Sequence, residues 1–357
     1  MVNFSKQKRL GALALVAWGG ALGHSAFVQA GPASLADCAA IANDQARLAC
    51  YDQAATRLAP TALEPGPVST AMTVPVVPPE ADEPAEVRAW PPVEGTLIER
   101  AWGFEPDSNR YAISLYRPNY LLLGRYSDRP NEAPFDVLFN ALDNPDAKLD
   151  STEAQFQISF KARLWTTDDR RFGIWAAYTQ QNQWQVYNDD LSRPFRETNY
   201  QPELILSFKP GLSFGGFHWG LLNLGYNHQS NGRSDPISRS WDRIVAEIGI
   251  ERGDFALLIR PWVVISDGGD DNPDIEDYYG HGDITAFYRW RGNSFSVMGR
   301  GNVDTGKGTV KFSWMSPPLI GPMRGYVKGS SGYGDSMIDY NWRQNTIGIG
   351  VALNDVL

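Results

Sequence analysis

The sequence has few cysteines, few histidines and no long apolar stretch in its main part. Outside the N-terminus there is no run of about 18 apolar residues, which excludes a transmembrane helix from the mature chain. Two cysteines are too few ligands for a thiol metal site. Acidic residues outnumber basic ones, 41 to 32, and no basic patch occurs, which argues against a nucleic-acid partner.

Glycine and aromatic residues are abundant instead. The 357 residues include 34 Gly, 15 Tyr, 16 Phe and 12 Trp, and the mean hydropathy is -0.34. A polar average with many aromatics suits a soluble β protein or an outer-membrane barrel, in which polar residues alternate with apolar ones.

The first thirty residues have the pattern of a secretory signal peptide. Residues 6–9 are mostly basic, residues 10–27 are mostly apolar, and small residues precede a cleavage point after Ala30. An uncleaved anchor helix is the alternative, which four glycines and a histidine disfavour. We therefore predict that residues 1–30 are a signal peptide.

Two further segments precede the main domain. Cys38 and Cys50 flank a helix-like stretch, and an isolated cysteine pair in an exported chain predicts a disulfide. Residues 31–58 are therefore predicted to be a small helical element. Residues 59–94 contain nine prolines and are predicted to be an extended linker.

Residues 95–357 are predicted to form one all-β domain. Twelve segments have strand character, and in several of them apolar and polar residues alternate. In one such segment Phe156, Ile158 and Phe160 lie on one face, and Gln157 and Ser159 lie on the other. An even number of such strands, with Trp and Tyr at their ends, predicts a 12-stranded antiparallel transmembrane β-barrel. A soluble β-sandwich or propeller is the alternative. The segments are 116–127, 151–164, 172–186, 198–209, 212–228, 239–251, 255–266, 280–291, 294–304, 307–316, 322–333 and 343–353.

The most informative motif lies between two of these strands. Side-chain parity places His228 and Ser230 on the apolar face of one strand and Asp242 on the apolar face of the next. A short polar loop connects them, so Asp242 can lie across from His228. We predict a triad in which Ser230 is the nucleophile, His228 the general base and Asp242 the group that orients it. The alternative is an ordinary polar loop end.

The loop after Ser230 is rich in oxygen donors. Asp235, Ser238 and the carbonyl groups near Arg233 could bind Ca²⁺, which takes six to eight oxygen ligands. A second acidic turn follows at residues 267–274. A solvated acidic loop is the alternative for that turn.

At these residues the chain resembles the outer-membrane phospholipase A family. The run from His228 to Pro236 carries the resemblance most specifically, and the similarity extends over residues 110–357. Further matching stretches are residues 117–120, 194–200, 270–275, 330–341 and 351–355.

The resemblance implies a calcium-dependent serine hydrolase in the outer membrane. It implies a twelve-stranded barrel with its triad at the outer-leaflet rim, which releases fatty acids from either acyl position of phospholipids and lysophospholipids. It also implies a homodimer that completes the acyl-binding grooves and the calcium sites. Gly232 would offer an oxyanion-hole N–H, and Gln180 would lie in the dimer interface.

The same resemblance implies the calcium ligands. The Arg233 carbonyl and the Ser238 hydroxyl would bind one ion, completed by Ser192 of the partner subunit. Asp235 and Asp271 would serve a weaker site in the monomer.

The sequence departs from the family in three places. Asp242 stands where the family usually has Asn, which adds a negative charge close to lipid. Leu357 stands where outer-membrane barrels commonly end in an aromatic residue. Residues 31–93 lie outside the resemblance.

Three functions remain in competition. The triad favours a phospholipase, the barrel alone would allow a passive porin or lipid-transport channel, and a soluble secreted esterase would need no membrane. Twelve strands leave little room for a pore. We expect lumen-phase charges of both signs to fill the bore by pairing: Lys161, Arg163, Arg243, Glu247 and Glu251.

Overall fold

The computed structural model describes residue 38 and residues 41–43, 45–51, 95–141, 146–266, 269 and 271–357. The chain divides into two units, Met1–Glu86 and Val87–Leu357, and each is described by itself. The predicted signal peptide and the predicted linker lie outside the described residues.

The first unit contains the disulfide that the sequence predicts. Cys38 and Cys50 are bonded, and residues 45–51 are helical. The Asn43 carboxamide oxygen accepts a hydrogen bond from the Ala46 N–H at 3.1 Å, which caps the start of the helix. No helix in the described part of the chain is long and apolar enough to cross a membrane.

The described residues of the second unit form fourteen strand segments and three short α-helices, with a 3₁₀ turn at Ala133–Phe135. The helices are α1 (Leu97–Trp102), α2 (Asp136–Ala141) and α3 (Ile275–Tyr279). The strands are β1 (Ile113–Leu115), β2 (Tyr120–Ser127), β3 (Thr152–Thr166), β4 (Phe172–Trp184), β5 (Phe195–Phe208), β6 (Leu212–Phe214), β7 (Phe217–Ser230), β8 (Ser240–Arg252), β9 (Phe255–Ser266), β10 (Gly282–Trp290), β11 (Asn293–Asn302), β12 (Lys307–Ile320), β13 (Met323–Tyr333) and β14 (Arg343–Ala352).

Twelve of these strands close into a barrel. Each strand from β2 to β14, with β1 and β6 set aside, pairs antiparallel with its neighbour, and β14 returns to pair with β2. Closure gives each of these twelve strands a partner on both sides, as a lipid environment requires. The predicted 12-stranded antiparallel barrel is therefore confirmed.

The alternation of the strands sorts apolar side chains outward and polar side chains inward. On β3, Ile158 and Phe160 are half exposed on the outer surface, whereas Ser159 and Lys161 are buried in the lumen. The same division holds on other strands, with exposed apolar side chains such as Leu204, Leu206, Leu224, Ile244, Val263, Ile284, Val297, Val310 and Ile347.

Two predicted strands are interrupted. The predicted segment 116–127 is wrong in its first part, because pairing with β3 stops between β1 and β2, where Pro118 has no N–H to donate. The predicted segment 212–228 is not one strand. Gly215 and Gly216 adopt positive φ angles of 56° and 81°, so the chain reverses there and β6 pairs with β7.

The lumen at one end of the barrel is filled by a buried ion network. Arg125 donates to Glu153 at 2.7 Å and to Asp335 at 2.6 Å. Arg196 also donates to Glu153, at 3.0 Å, and to Asp339 at 3.1 Å. Two of these acids belong to the β13–β14 loop, residues 334–342, which folds into the barrel.

The opposite end is filled by α1. A capping box between Thr96 and Glu99 starts this helix, and the Ile98 N–H donates to Glu251 at 3.0 Å. The helix packs against Trp175, Leu221 and other residues from the far ends of the strands. The expectation that the lumen charges fill the bore by pairing is therefore wrong in part: Arg163 donates to the carbonyls of Trp102 and Gly103, and Lys161 lies 3.5 Å from the Trp102 ring centroid.

Candidate active site

His228 and Asp242 lie directly opposite each other on β7 and β8. The two residues are paired in the strand register, and the His228 Nδ1–H donates to Asp242 Oδ1 at 2.8 Å. Both side chains are partly exposed on the outer surface of the barrel, at 35% and 23%. A carboxylate at Nδ1 leaves Nε2 of the ring free to accept a proton.

Tyr226 is a third member of this cluster, which sequence reasoning missed. Its hydroxyl donates to Asp242 Oδ1 at 2.6 Å, the same oxygen that His228 uses. The signal was available, because Tyr226 precedes His228 by two residues and so shares its face. A carboxylate beside lipid is costly unless donors satisfy it, and Tyr226 supplies the second donor.

We expect Tyr226→Phe to lower kcat about tenfold, because a hydrogen bond to a charged group contributes about 1.5–3 kcal/mol. Without the phenol, Asp242 keeps only one of its two side-chain donors and fixes the His228 ring less firmly. Tyr288→Phe, at another exposed tyrosine on β10, is the matched control. Equal kcat values for the two variants would contradict this role.

Ser230 is the last residue of β7 and is half-buried. It follows His228 by two residues on the same outer face, and it is paired in register with Ser240. In the described residues its hydroxyl makes no hydrogen bond to His228. The strand therefore places Ser230 beside His228 on one surface, but the two side chains do not form a hydrogen bond.

The loop 231–239 that follows Ser230 is fastened by Asn231. The Asn231 carboxamide accepts from the N–H groups of Arg233 and Arg239, at 3.3 and 3.0 Å, and donates to the Ile237 carbonyl at 2.8 Å. Asn231 is 3% exposed. This buried carboxamide fixes the conformation of the loop, and no sequence pattern indicates that role.

Gly232 and Arg233 stand at the start of this loop. Gly232 has a positive φ of 63°, and a Cβ there would lie 3.0 Å from the Tyr200 ring, so both backbone and space require glycine. Its N–H has no acceptor in the described part of the chain. The Arg233 guanidinium donates to the carbonyls of Phe195 and Arg196 at 3.1 and 2.8 Å, which ties the loop to β5.

The side-chain oxygen atoms of Ser238, Ser240 and Asp271 lie close together. The Ser238 hydroxyl donates to Asp271 Oδ2 at 2.7 Å, and the Ser240 hydroxyl donates to the same oxygen at 3.4 Å. Hydroxyl and carboxylate oxygens are the ligand type that Ca²⁺ prefers, so this donor set fits calcium. The described residues contain no group of three or more His, Cys, Asp and Glu side chains at metal-binding distances.

Two other predicted calcium ligands lie on the surface. Asp235 is exposed in loop 231–239, and Ser192 is exposed in the β4–β5 loop with a φ of 57°. Neither side chain forms a hydrogen bond with Asp271 within the described residues. Parts of the acidic turn 267–274 lie outside those residues.

The described part of the acidic turn is anchored at Asp274. Tyr340 donates to Asp274 at 2.6 Å. Burial, together with this hydrogen bond, raises the pKa of the Tyr340 phenol above its ordinary range. The phenol therefore stays protonated and keeps its donor over the physiological pH range.

Gln180 lies in a short chain of polar groups on the outer face of β4 and β5. Its carboxamide accepts from the Tyr178 hydroxyl at 2.8 Å and donates to Asn182 at 2.9 Å, which also accepts from Thr198 at 3.1 Å. Polar groups on the lipid-facing surface of a barrel are costly. Their hydrogen bonds to one another reduce that cost within one chain.

Comparison with known proteins identifies the family. The family model described as Phospholipase A1 matches residues 98–353. The chain belongs to the phospholipase A1 family. A phospholipase A1 from Klebsiella pneumoniae is 37% identical over 277 residues, covering 76% of this chain and 92% of that protein. The Escherichia coli phospholipase A1 is also 37% identical, over 274 residues, covering 76% of this chain and 91% of that protein.

Solved structures of this phospholipase A1 family agree with the fold. The outer membrane phospholipase A from Escherichia coli has a TM-score of 0.64 and 36% identity, covering 69% of this chain and all of that one. The Salmonella typhi outer membrane phospholipase, a dimer with bound calcium, has a TM-score of 0.66 and 35% identity, covering 74% of this chain and all of its own. The chain is thus an outer-membrane β-barrel of this phospholipase A1 family.

Proposed function

We propose that the protein hydrolyses acyl ester bonds of phospholipids and lysophospholipids, with phospholipase A1 and A2 activity. The observation that carries this proposal is the 2.8 Å His228–Asp242 pair on the outer face of the barrel, with Ser230 two residues further along the same face. A hydrolytic triad on a lipid-facing surface meets its substrate in the membrane.

In the proposed reaction, the acyl group is transferred first to Ser230 and then to water. Nε2 of His228 removes the proton from the Ser230 hydroxyl as its oxygen attacks the ester carbonyl carbon. The ester C–O bond then breaks, and His228 returns the proton to the departing alcohol oxygen of the lysophospholipid. Water, activated in the same way, releases the fatty acid from Ser230. Asp242 holds the ring and stabilises its positive charge throughout.

Negative charge develops on the ester oxygen during both steps. The Gly232 N–H, which has no acceptor in the described residues, is the proposed donor to that oxygen. Ca²⁺ bound near Ser238 and Asp271 would supply positive charge beside it. The Arg233 carbonyl, Asp235 and Ser192 of the partner subunit remain proposed further ligands.

We propose that the triad faces the outer leaflet. Loops at the triad end are long, at 231–239 and 334–342, whereas turns at the other end are as short as Gly253–Asp254 and Arg291–Gly292. Outer-membrane barrels have short periplasmic turns and longer extracellular loops. This asymmetry supports placing Ser230 on the outer side.

We further propose that the active form is a homodimer with Gln180 at its interface. The polar chain from Tyr178 to Thr198 supports this, because it lies on the lipid face and its Asn182 Nδ2 is buried without a hydrogen-bond partner in the described residues. A passive porin or transport barrel has no comparable support, since both ends of the lumen are filled.

We also propose the division of the chain into four parts: residues 1–30 as the signal peptide, 31–58 as the small helical element, 59–94 as the linker and 95–357 as the barrel.

Hydrolysis of phospholipid vesicles by the refolded barrel, with Ca²⁺ or with EDTA, tests the function. We expect fatty acid release with Ca²⁺ and loss of most of that release in EDTA. Asp271→Asn should need a higher Ca²⁺ concentration for half-maximal rate, because it removes a charged ligand. Asp304→Asn, an exposed acid of another loop at the same end, should leave that concentration unchanged. No release under any Ca²⁺ concentration would refute the enzyme function.

A further inference from the structure

A second lipid-facing feature lies far from the triad. A groove of about 300 Å³ runs along the outer surface near the opposite end of the barrel, across β3, β4, β5 and β7. Two rows of side chains cross it in strand register. One row contains Trp165, Ile174, Leu206 and Leu224, and the other contains Phe172, Phe208 and Leu222.

The groove is apolar and open to the surroundings. Trp165, Phe172, Leu206 and Leu224 are each about half exposed, at 48%, 49%, 53% and 51%. Its volume is at the lower end of the range for sites that hold small ligands. A concave apolar strip on the lipid-facing surface fits a flexible hydrocarbon chain better than a polar ligand.

A positive charge stands at the end of the groove. Arg171 lies in the turn between β3 and β4, exposed, with its guanidinium 5.7 Å from the Phe208 ring centroid. The guanidinium donates to the carbonyls of Lys209 and Pro210 at 3.3 Å each. Asp169, the nearby acid, accepts from the backbone N–H of Arg171, and its carboxylate also interacts electrostatically with Arg171. No carboxylate forms a salt bridge with the Arg171 guanidinium among the described residues.

The groove is not part of the triad site. Leu224 and Leu222 precede Ser230 on β7 by six and eight residues, which corresponds to roughly 20 and 27 Å along the strand. The strands tilt by about 40°, so only part of each separation lies along the membrane normal. That part still exceeds half of the ~25 Å apolar band of such a barrel. The groove therefore belongs to the leaflet opposite the triad.

We propose that this groove binds one acyl chain of an anionic phospholipid whose phosphate is held by Arg171. Arginine presents a planar donor fork that matches phosphate oxygens, and an exposed guanidinium without a salt bridge complements a headgroup with net negative charge. This lipid is retained as a structural ligand and is not a substrate, because it lies out of reach of Ser230.

Lipid retention by the Ser230→Ala barrel tests the proposal, since this background cannot digest the probe. The detergent-purified protein is titrated with phosphatidylglycerol, and bound lipid is counted by native mass spectrometry. We expect one tightly held phosphatidylglycerol per barrel. Adding Arg171→Gln should weaken its binding about tenfold, as expected for loss of a charged hydrogen bond. Leu206→Trp, which fills the groove and leaves the arginine in place, should weaken it as well.

Arg291→Gln in the same background is the matched control. Arg291 lies in a turn at the same end, is exposed, and stacks 5.2 Å from the Trp290 ring centroid. Equal binding by the Arg171→Gln and Arg291→Gln proteins would overturn the site. So would competition by inorganic phosphate alone, or a dimer of this chain that excludes the lipid. Because the background is inactive, none of these outcomes depends on the proposed hydrolysis.

Discussion

Replacement of Ser230 by Ala is expected to lower fatty acid release from phospholipid vesicles by at least about 10³-fold. Loss of the nucleophile removes the acyl-transfer route, and the remaining oxyanion donor and lipid binding recover only a small part of the rate. His228→Ala should cause a similar loss, and the double variant should be no worse than either single one, because the two residues act as a unit.

Ser331→Ala is the control for this experiment. Ser331 is also an exposed serine near a strand end at the triad side, on β13, and its hydroxyl donates to Asn345. It should hydrolyse phospholipid at the parent rate. Parent-level release by the Ser230→Ala barrel would rule out the triad.

The second large effect is expected in stability, from Arg196→Met. Arg196 is 5% exposed and lies between the buried carboxylates of Glu153 and Asp339. Removing it leaves two acids in the lumen with less compensation, and breaking a buried ion pair in this way destabilises by about 3–5 kcal/mol. Urea unfolding of the refolded barrel, followed by tryptophan fluorescence, measures the loss.

Arg193→Met provides the comparison. Arg193 is three residues earlier and forms an exposed salt bridge with Asp189, with 59% of its side chain accessible. Exposed pairs contribute about 0–1 kcal/mol, so this variant should unfold near the parent urea concentration. Equal destabilisation by both substitutions would mean that the buried network does not hold the β13–β14 loop in the lumen.

The barrel could be predicted from the sequence because its signal is local. Period-two alternation, as in Phe156 to Phe160, is a property of neighbouring residues and needs no knowledge of distant ones. The same alternation placed His228, Ser230 and Asp242 on one face, and the structure pairs His228 with Asp242 in register. The disulfide also followed from an isolated cysteine pair.

The contents of the lumen could not be predicted in this way. Arg163 bonds to α1, some 60 residues earlier, and Arg125 bonds to Asp335, 210 residues later. Alternation shows that such residues point inward but not which segment meets them. The capping box of Thr96 and Glu99 was a readable sign of α1, although not of its position inside the barrel.

The predicted calcium ligands show the same limit. Ser238 and Asp271 form a hydrogen bond although 33 residues separate them, whereas Asp235, only three residues before Ser238, is exposed and forms no hydrogen bond with either of them in the described residues. Loop conformation decides this, and Asn231 sets that conformation through three hydrogen bonds. A carboxamide in a polar loop has no pattern that distinguishes such a role from a solvated side chain.

Covalent labelling tests the central claim most directly. The wild-type barrel is incubated in Ca²⁺ with a long-chain alkyl phosphonate bearing a p-nitrophenyl leaving group, and the modified peptide is identified by mass spectrometry. The lipid-facing triad predicts one adduct, on Ser230, with labelling that is strongly slowed by His228→Ala. A barrel that hydrolyses phospholipid while Ser230 stays unlabelled, or an adduct on another serine, would contradict it.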